Sequence, residues 1–366
     1  MNNDLLYQVA LTLLPQIGDV HAKALLNIYG NAESIFRAPK RQLEKIEGIG
    51  SVRASGIKHF NDFKTCEEEI AFLEKYKVQP LFINDINYPK RLLNCYDSPV
   101  LLYYRGNADL NNSKVISVVG TRNNSEYGKH ICDQLIEGLK NTHALVISGL
   151  AFGIDTIAHK AALKNNLPTV GVVAHGLDRL YPPQNKPLAK NMIENGGLLT
   201  DFKSGIAPDK QNFPKRNRIV AGICDALIVI ESAKKGGSLI TAELANSYNK
   251  DVFAIPGRAT DPKSEGCNYL VKSNKASLIT CANDLLEIMN WVENEKPILK
   301  KQRELFIELT AAEKTITGIL QEKTNCSIDE LYLKSGLSSS EAAQALLMLE
   351  MQGIIMSLPG KIYKLT

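Results

Sequence analysis

Lys210, Lys215, Arg216 and Arg218 place four cations within nine residues, with no acid among them, in the stretch DKQNFPKRNRIVAG that begins at Asp209. The same stretch runs directly into Ile219, Val220, Ala221 and Ile223, an apolar series suited to a core. Cations crowded beside a buried helix repel one another, so the segment predicts an anionic partner here. Asn217 adds an amide, and Phe213, the one aromatic between Phe202 and Tyr248, adds a flat ring. Phosphate is an anion that suits these cations, and the ring adds a flat apolar face beside them. The plainer alternative for Phe213 is burial in the core.

Three further segments offer the same kind of chemistry. VVGTRNNSEYG sets Gly120, Thr121 and Arg122 after a β-branched run, with the planar cation beside a helix start where backbone N–H groups favour anions. SGLAFGIDTIAH repeats the scheme with Ser148, Gly149 and Gly153. A third, KKGGSLITAELA, has Gly236 and Gly237 for close backbone approach, then Ser238 and Thr241 as hydroxyl donors at a helix start. Turn geometry alone explains any one of these glycine loops; several converging on one edge predict a phosphate site. Asp155 and His159, four apart on one helix face, read as a structural hydrogen-bonding pair more readily than as a metal or acid/base pair. His175 in VVAHG reads as incidental. Neither G-x-G-x-x-G nor G-x-x-x-x-G-K-[ST] occurs, and no cysteine pairs with a histidine in catalytic fashion, so no dinucleotide, ATP or metal cofactor is expected.

The elements that must hold these residues follow from periodicity. From residue 114, KVISVVG, ALVISGL, TVGVVAHG, GLLTDF, ALIVIES and DVFAIPG alternate with helical segments, which predicts an α/β, doubly wound parallel sheet of Rossmann type over residues 79–290. Ligands of such sheets gather beyond the carboxyl ends of the strands. LFINDINYPKRLLNCYDSPVLLYYRGN reads as a Pro- and Tyr-rich bridge into that domain. Residues 1–78 have helical period and two apolar-Gly turns of helix-hairpin-helix type; Gly48 and Gly50 mark the second, while the first has Gln16 in place of the earlier glycine. A charged, proline-containing linker is expected over 291–305. Three helices and a short hairpin over 306–366 then predict a winged helix, with Ser338 and Glu341 capping its third helix. That third helix, Ser338 to Gln352, has no Lys or Arg and carries Glu341 and Glu350, so it is expected to meet protein rather than a DNA groove.

Composition sets limits around these sites. A formal charge of +4 over 366 residues makes any polyanion site local rather than global. Seven scattered cysteines without C-x-x-C fit reduced thiols in a cytoplasm and argue against zinc. No apolar run reaches 18 residues and the first residues lack a signal-peptide pattern, so no membrane is expected.

VVGTR, SGLAFGIDTIAH, GLDRLYPPQN, FPKRNRIVAG, GGSLITAELA, DVFAIPG and GCNYLV follow one another in the order of the DNA-processing protein A family (DprA, also called Smf), which this chain resembles over about residues 80–280. The resemblance implies a bacterial, non-enzymatic single-stranded-DNA-binding protein that protects incoming DNA in natural transformation and helps load the RecA recombinase. It implies an extended Rossmann domain that dimerises. Carried over by motif, Arg122 and Lys210 would bind phosphate, Phe213 would meet a base, and Arg216, Asn217 and Arg218 would complete the strip. Asn274 and Lys275 depart from the family's usual Gly-Ala pair. The alternative is an enzyme: GGSLITAE is similar to the G-G-x-G-T-x-x-E motif of nucleotide phosphoribohydrolases. Glu243 would be the carboxylate there, although Leu239 replaces the third glycine.

Overall fold

A computed structural model describes residues 3–292, 309–323, 325–358 and 361–365. The chain forms two compact units, 1–292 and 293–366. The linker expected over 291–305 lies mostly outside the described residues.

The first unit opens with six helices: α1 (Asn3–Leu13), α2 (Asp19–Tyr29), α3 (Ala32–Arg37), α4 (Lys40–Leu43), α5 (Gly50–Lys58) and α6 (Phe63–Tyr76). Both hairpin turns form. Gln16 takes a left-handed backbone (φ 62°) where the second copy has Gly48 (φ 80°), so the missing glycine does not abolish the turn. Arg53 joins the two turns by donating from Nε to the Gln16 carbonyl (2.8 Å) and from Nη1 to the Gly48 carbonyl (2.7 Å).

A nine-stranded sheet follows: β1 (Gln79–Phe82), β2 (Leu101–Gly106), β3 (Val115–Gly120), β4 (Leu145–Ser148), β5 (Thr169–Val172), β6 (Gly196–Thr200), β7 (Ala226–Ile230), β8 (Asp251–Ala254) and β9 (Ser277–Leu278). Their order is β1-β2-β6-β5-β4-β3-β7-β8-β9. From β6 to β9 all pairs are parallel, whereas β2 is antiparallel to both β6 and β1. The bridge read from the sequence therefore supplies two strands of the main sheet. β2 escapes period-2 detection because Leu101, Leu102, Tyr103 and Tyr104 are all buried.

The connecting helices are α7 (Lys90–Leu93), α8 (Glu126–Gly138), α9 (Ile154–Lys164), α10 (Lys186–Glu194), α11 (Asn212–Gly222), α12 (Gly237–Ser247), α13 (Glu265–Lys272) and α14 (Ala282–Ile288). One core gathers Leu92, Ile219, Val220, Ala245 and Leu270 against one sheet face, and a second gathers Cys132, Ile136, Ala158, Ala162 and Leu285 against the other. Residues of α1–α6 form a third core that runs on into Phe82, Val100, Leu101 and Tyr103. Strand order reverses between β3 and β7, so a crevice opens beyond Gly120 and Ile230 as expected of doubly wound sheets.

The second unit holds α15 (Ala311–Glu322), β10 (Cys326–Ser327), α16 (Ile328–Ser335), α17 (Ser339–Met351), β11 (Ile355–Leu358) and β12 (Ile362–Leu365), with the strands in order β10-β12-β11. Ser338 and Glu341 cap α17 reciprocally. This is a winged helix.

Candidate functional site

α11 sorts the basic segment by face. Pro214 is tolerated in its first turn, where no intrahelical N–H is needed. One turn per 3.6 residues then brings Phe213, Arg216, Asn217 and Val220 to one side, and these line a cleft of about 580 Å³ at the strand-order reversal. Gly120, Thr121, Arg122, Gly149, Asp155, Lys210, Gly237, Ser238 and Thr241 line it as well. Arg122, Lys210 and Arg216 face a single carboxylate, Asp155, which leaves a surplus of two positive charges.

Arg218 lies elsewhere. Its guanidinium meets Asp19 of α2 (2.8 Å) and Asp201 after β6 (2.7 Å), and it also donates to the Asp97 carbonyl. Two carboxylates hold it as cation, against the opposing effect of burial. It is a tie between α11, the sheet and the helical module, not part of the cleft strip. The repulsion inferred from four adjacent cations is thus relieved in part by helical geometry and by internal acids.

Arg216 is buried inside the cleft wall. It donates from Nη1 to the Val172 carbonyl and from Nε to Asn217 Oδ1 (3.2 Å). Burial pushes its guanidinium down and the Asp155 carboxyl up, and in each case the partner's charge opposes the effect. Asp155 also accepts from the Ala151 N–H (3.3 Å). A side chain at Gly149 would collide with both Asp155 and Arg216, which explains why that position is bare. Gly153 (φ 79°) lets α9 begin against Thr121, whose carbonyl accepts from the Ile154 N–H (3.2 Å).

The exposed cations of the cleft lining are Arg122 and Lys210; Lys215 is exposed too but lies outside that lining. The Arg122 guanidinium carbon stands 5.1 Å from the centroid of the Phe213 ring. Phe213 is half-buried, which leaves part of its ring open at the lip. Lying over a π face, the cation is preoriented and stays accessible to an anion.

Of the helix starts at this edge, α8 is closed. Ser125 accepts from the Gly128 N–H (3.1 Å), while Glu231 accepts from the Ser125 N–H (2.8 Å) and its hydroxyl. α12 differs, because Gly236 provides no side-chain cap and a Cβ at Gly237 would meet open space. Its first N–H groups therefore have no side-chain cap, the geometry in which a helix start favours an anion. The Ser238 and Thr241 hydroxyls, expected as donors to a ligand, are buried and turn to Ser232 Oγ (2.8 Å) and the Gly237 carbonyl (3.4 Å). Ser148 is fully buried at the end of β4, donates to the Val118 carbonyl (2.6 Å) and does not reach the cleft.

His159 is internal: its ring nitrogens meet the Gly149 carbonyl (2.6 Å) and Thr169 Oγ1 (2.7 Å). Among the described residues no cluster of three or more metal-ligating side chains forms. Glu243 faces away from the cleft lining and pairs at the surface with Lys275 (2.6 Å), so the carboxylate of the phosphoribohydrolase reading is not at this site. Asn274 (φ 54°) takes the left-handed backbone that a glycine would favour. Sequence reasoning passed over Tyr181, whose ring lies 6.2 Å from that of Phe213; the two are 32 positions apart, and no periodicity joins them.

Comparison with known proteins agrees with this architecture. The family model described as DNA recombination-mediator protein A matches residues 79–290, and the DprA winged helix domain matches residues 305–361. The DNA processing protein DprA of Streptococcus pneumoniae is 40% identical over 238 residues, covering 62% of this chain and 84% of that protein. Protein Smf of Escherichia coli is 33% identical over 308 residues, covering 81% of this chain and 80% of the relative. The X-ray structure of the S. pneumoniae protein superposes with a TM-score of 0.67 at 35% identity, over 77% of this chain and 97% of that one. DNA processing protein A of Helicobacter pylori, whose structure is described in terms of its single-stranded DNA binding mode, gives 0.54 at 29% identity, over 59% of this chain and 96% of that one. Shared sheet, shared motifs and matched domains lead to one conclusion: this chain belongs to the DprA/Smf family of DNA-processing proteins.

Proposed function

We propose that the chain binds single-stranded DNA along the cleft, with phosphates at Arg122, Lys210 and the start of α12 and a base against Phe213. The observation that carries this reading is the Arg122–Phe213 pair: a cation and a stacking face share one lip of a net-positive cleft. Backbone tracking by cations combined with base stacking on an aromatic is how proteins hold single strands without reading sequence. Duplex DNA keeps its bases stacked on one another and offers Phe213 nothing.

Following its family, the chain acts in the cytoplasm as a homodimer that shields incoming single strands during natural transformation and helps load RecA. In this role it performs no chemistry on the DNA. The deciding measurement compares a labelled oligothymidylate with its duplex form across a salt titration. Preference for the single strand, with a salt-dependent affinity, is the expected result. Equal affinity for both forms, or none for either, overturns it. Incubating the protein with nucleoside monophosphates and assaying free base tests the enzyme alternative, and no release is expected. Filament formation by RecA on strands already coated by single-strand-binding protein should accelerate when the chain is added.

A further inference from the structure

Beyond Phe213 the cleft wall changes character. Leu150, Ala151, Val173 and Ala174 floor a recess flanked by Phe152 and Tyr181, while Arg122, Phe213 and Arg216 border both spaces. Phe152 is 45% exposed and Tyr181 is 43% exposed. Neither ring is needed to close the core beneath, which Leu150, Val173, Leu188, Met192 and Leu198 complete among themselves. The Tyr181 ring lies 6.2 Å from that of Phe213, inclined at 55°, so the aromatic surface continues from one to the other.

The two loops that present these rings are fixed to one another. Asn185 donates from Nδ2 to the Leu150 carbonyl (2.9 Å) and to Thr156 Oγ1 (2.9 Å), and Thr156 donates to the Ala151 carbonyl (2.6 Å). The Tyr181 N–H donates to His175 Nε2 (3.2 Å), while Nδ1 of the same ring meets the Gly176 carbonyl (2.9 Å). Burial lowers the His175 pKa, which favours the neutral ring that an acceptor for the Tyr181 N–H requires. Large rings held at set positions in solvent, beside a polar cleft, are preorganised for a flat apolar partner.

We infer that the aromatic rim of this recess is a second base-stacking position: the base next to the one on Phe213 lies on the exposed rings of Tyr181 and Phe152, while its phosphate stays on the Arg122 side. The inference rests on the single-strand reading above. His175 has both ring nitrogens engaged, and Arg216 is turned to Val172 and Asp155, so the wall stacks bases rather than reading their edges. Sequence tolerance follows from that chemistry.

The test uses the full chain and two labelled oligomers of equal length, oligothymidylate and an abasic deoxyribose-phosphate strand. Wild type should prefer the thymidylate. Phe152→Ala and Tyr181→Ser should each lose about tenfold on thymidylate, within the range of one stacked base, with no loss on the abasic strand. Tyr181→Phe should retain wild-type affinity, because the ring and not the hydroxyl acts. Equal losses on both oligomers, or no loss on thymidylate, refute the second position. Thermal melts identify any variant that has failed to fold, and Phe152, being exposed, keeps the test decisive. If Phe213→Leu abolishes the preference while both other variants keep it, the strand reading stands and this inference falls. If wild type binds neither oligomer, the cleft reading fails and the inference with it.

Discussion

Arg122 and Arg218 carry the same group into opposite circumstances. Arg218 meets two carboxylates and a carbonyl, whereas Arg122 lies over a ring at the mouth of a positive cleft. Arg122→Ala and Lys210→Ala should each weaken binding to all single strands about equally. Each should flatten the log–log dependence of affinity on salt by roughly 0.7, the value per single-strand phosphate. An unaltered slope in both would remove these side chains from the backbone contact. For Phe213→Leu the expected loss is roughly 1–3 kcal/mol of DNA affinity with almost no shift in melting temperature, because the ring is only half-buried. A large fall in melting temperature with affinity intact would make it a packing residue. The residue types of this site were legible in the sequence; their allocation was not. Charge counting cannot tell that α11 turns Arg218 away from Phe213, nor that Asp19, nearly two hundred positions earlier, waits for it.

At the scale of elements, the parallel strands β3 to β8 were legible because runs such as ALIVI are buried on both faces and read as continuous apolar segments, whereas the two-residue β9 was not. β1 and β2 were not, since Pro80 and the unalternating LLYY disguise an antiparallel edge as a bridge. Helix starts were legible as anion sites in general, yet only the cap geometry shows that α8 is satisfied by Ser125 while α12 is not. α9 carries a pH-dependent feature of its own. Burial depresses the His159 pKa from 6.5 to about 4. Between those values the unfolded chain takes up a proton that the folded chain refuses. Its contribution to stability is therefore complete above pH 6.5 and is lost as pH falls towards 4. The limiting slope for one proton is about 1.4 kcal/mol per pH unit. Urea midpoints measured at pH 7, 6 and 5 should decline accordingly, and the part due to this ring should vanish in His159→Asn. A variant that keeps the full decline would assign the effect to other groups.

At the scale of the whole molecule the winged helix stands as its own unit. Leu346 of α17 is buried in that unit's core, whereas Leu347 is 59%, Met348 43% and Met351 77% exposed on a helix without lysine or arginine. Such a face suits a protein partner and repels the phosphate walls of a groove. Removing residues 296–366 should leave single-strand affinity within about threefold, under roughly 1 kcal/mol. A hundredfold loss from a truncated chain that still folds would give the wing a direct role on DNA.

The Asp19–Arg218–Asp201 tie has a consequence for how the first unit melts. Nearby, Lys23 donates to the Cys95 carbonyl (2.9 Å), Asp19 accepts from the Val100 N–H (3.0 Å), and Glu69 accepts from the Ser204 N–H (3.0 Å). Calorimetry of residues 1–292 should thus give one cooperative endotherm with equal calorimetric and van't Hoff enthalpies, not two. A fragment trimmed to 79–290 would bare Phe82, Val100, Leu101 and Tyr103 together and take Asp19 away from the Arg218–Asp201 pair. Such a fragment should aggregate on expression, and light scattering would show it: the helical module is as much a lid on the sheet's edge as a domain in its own right.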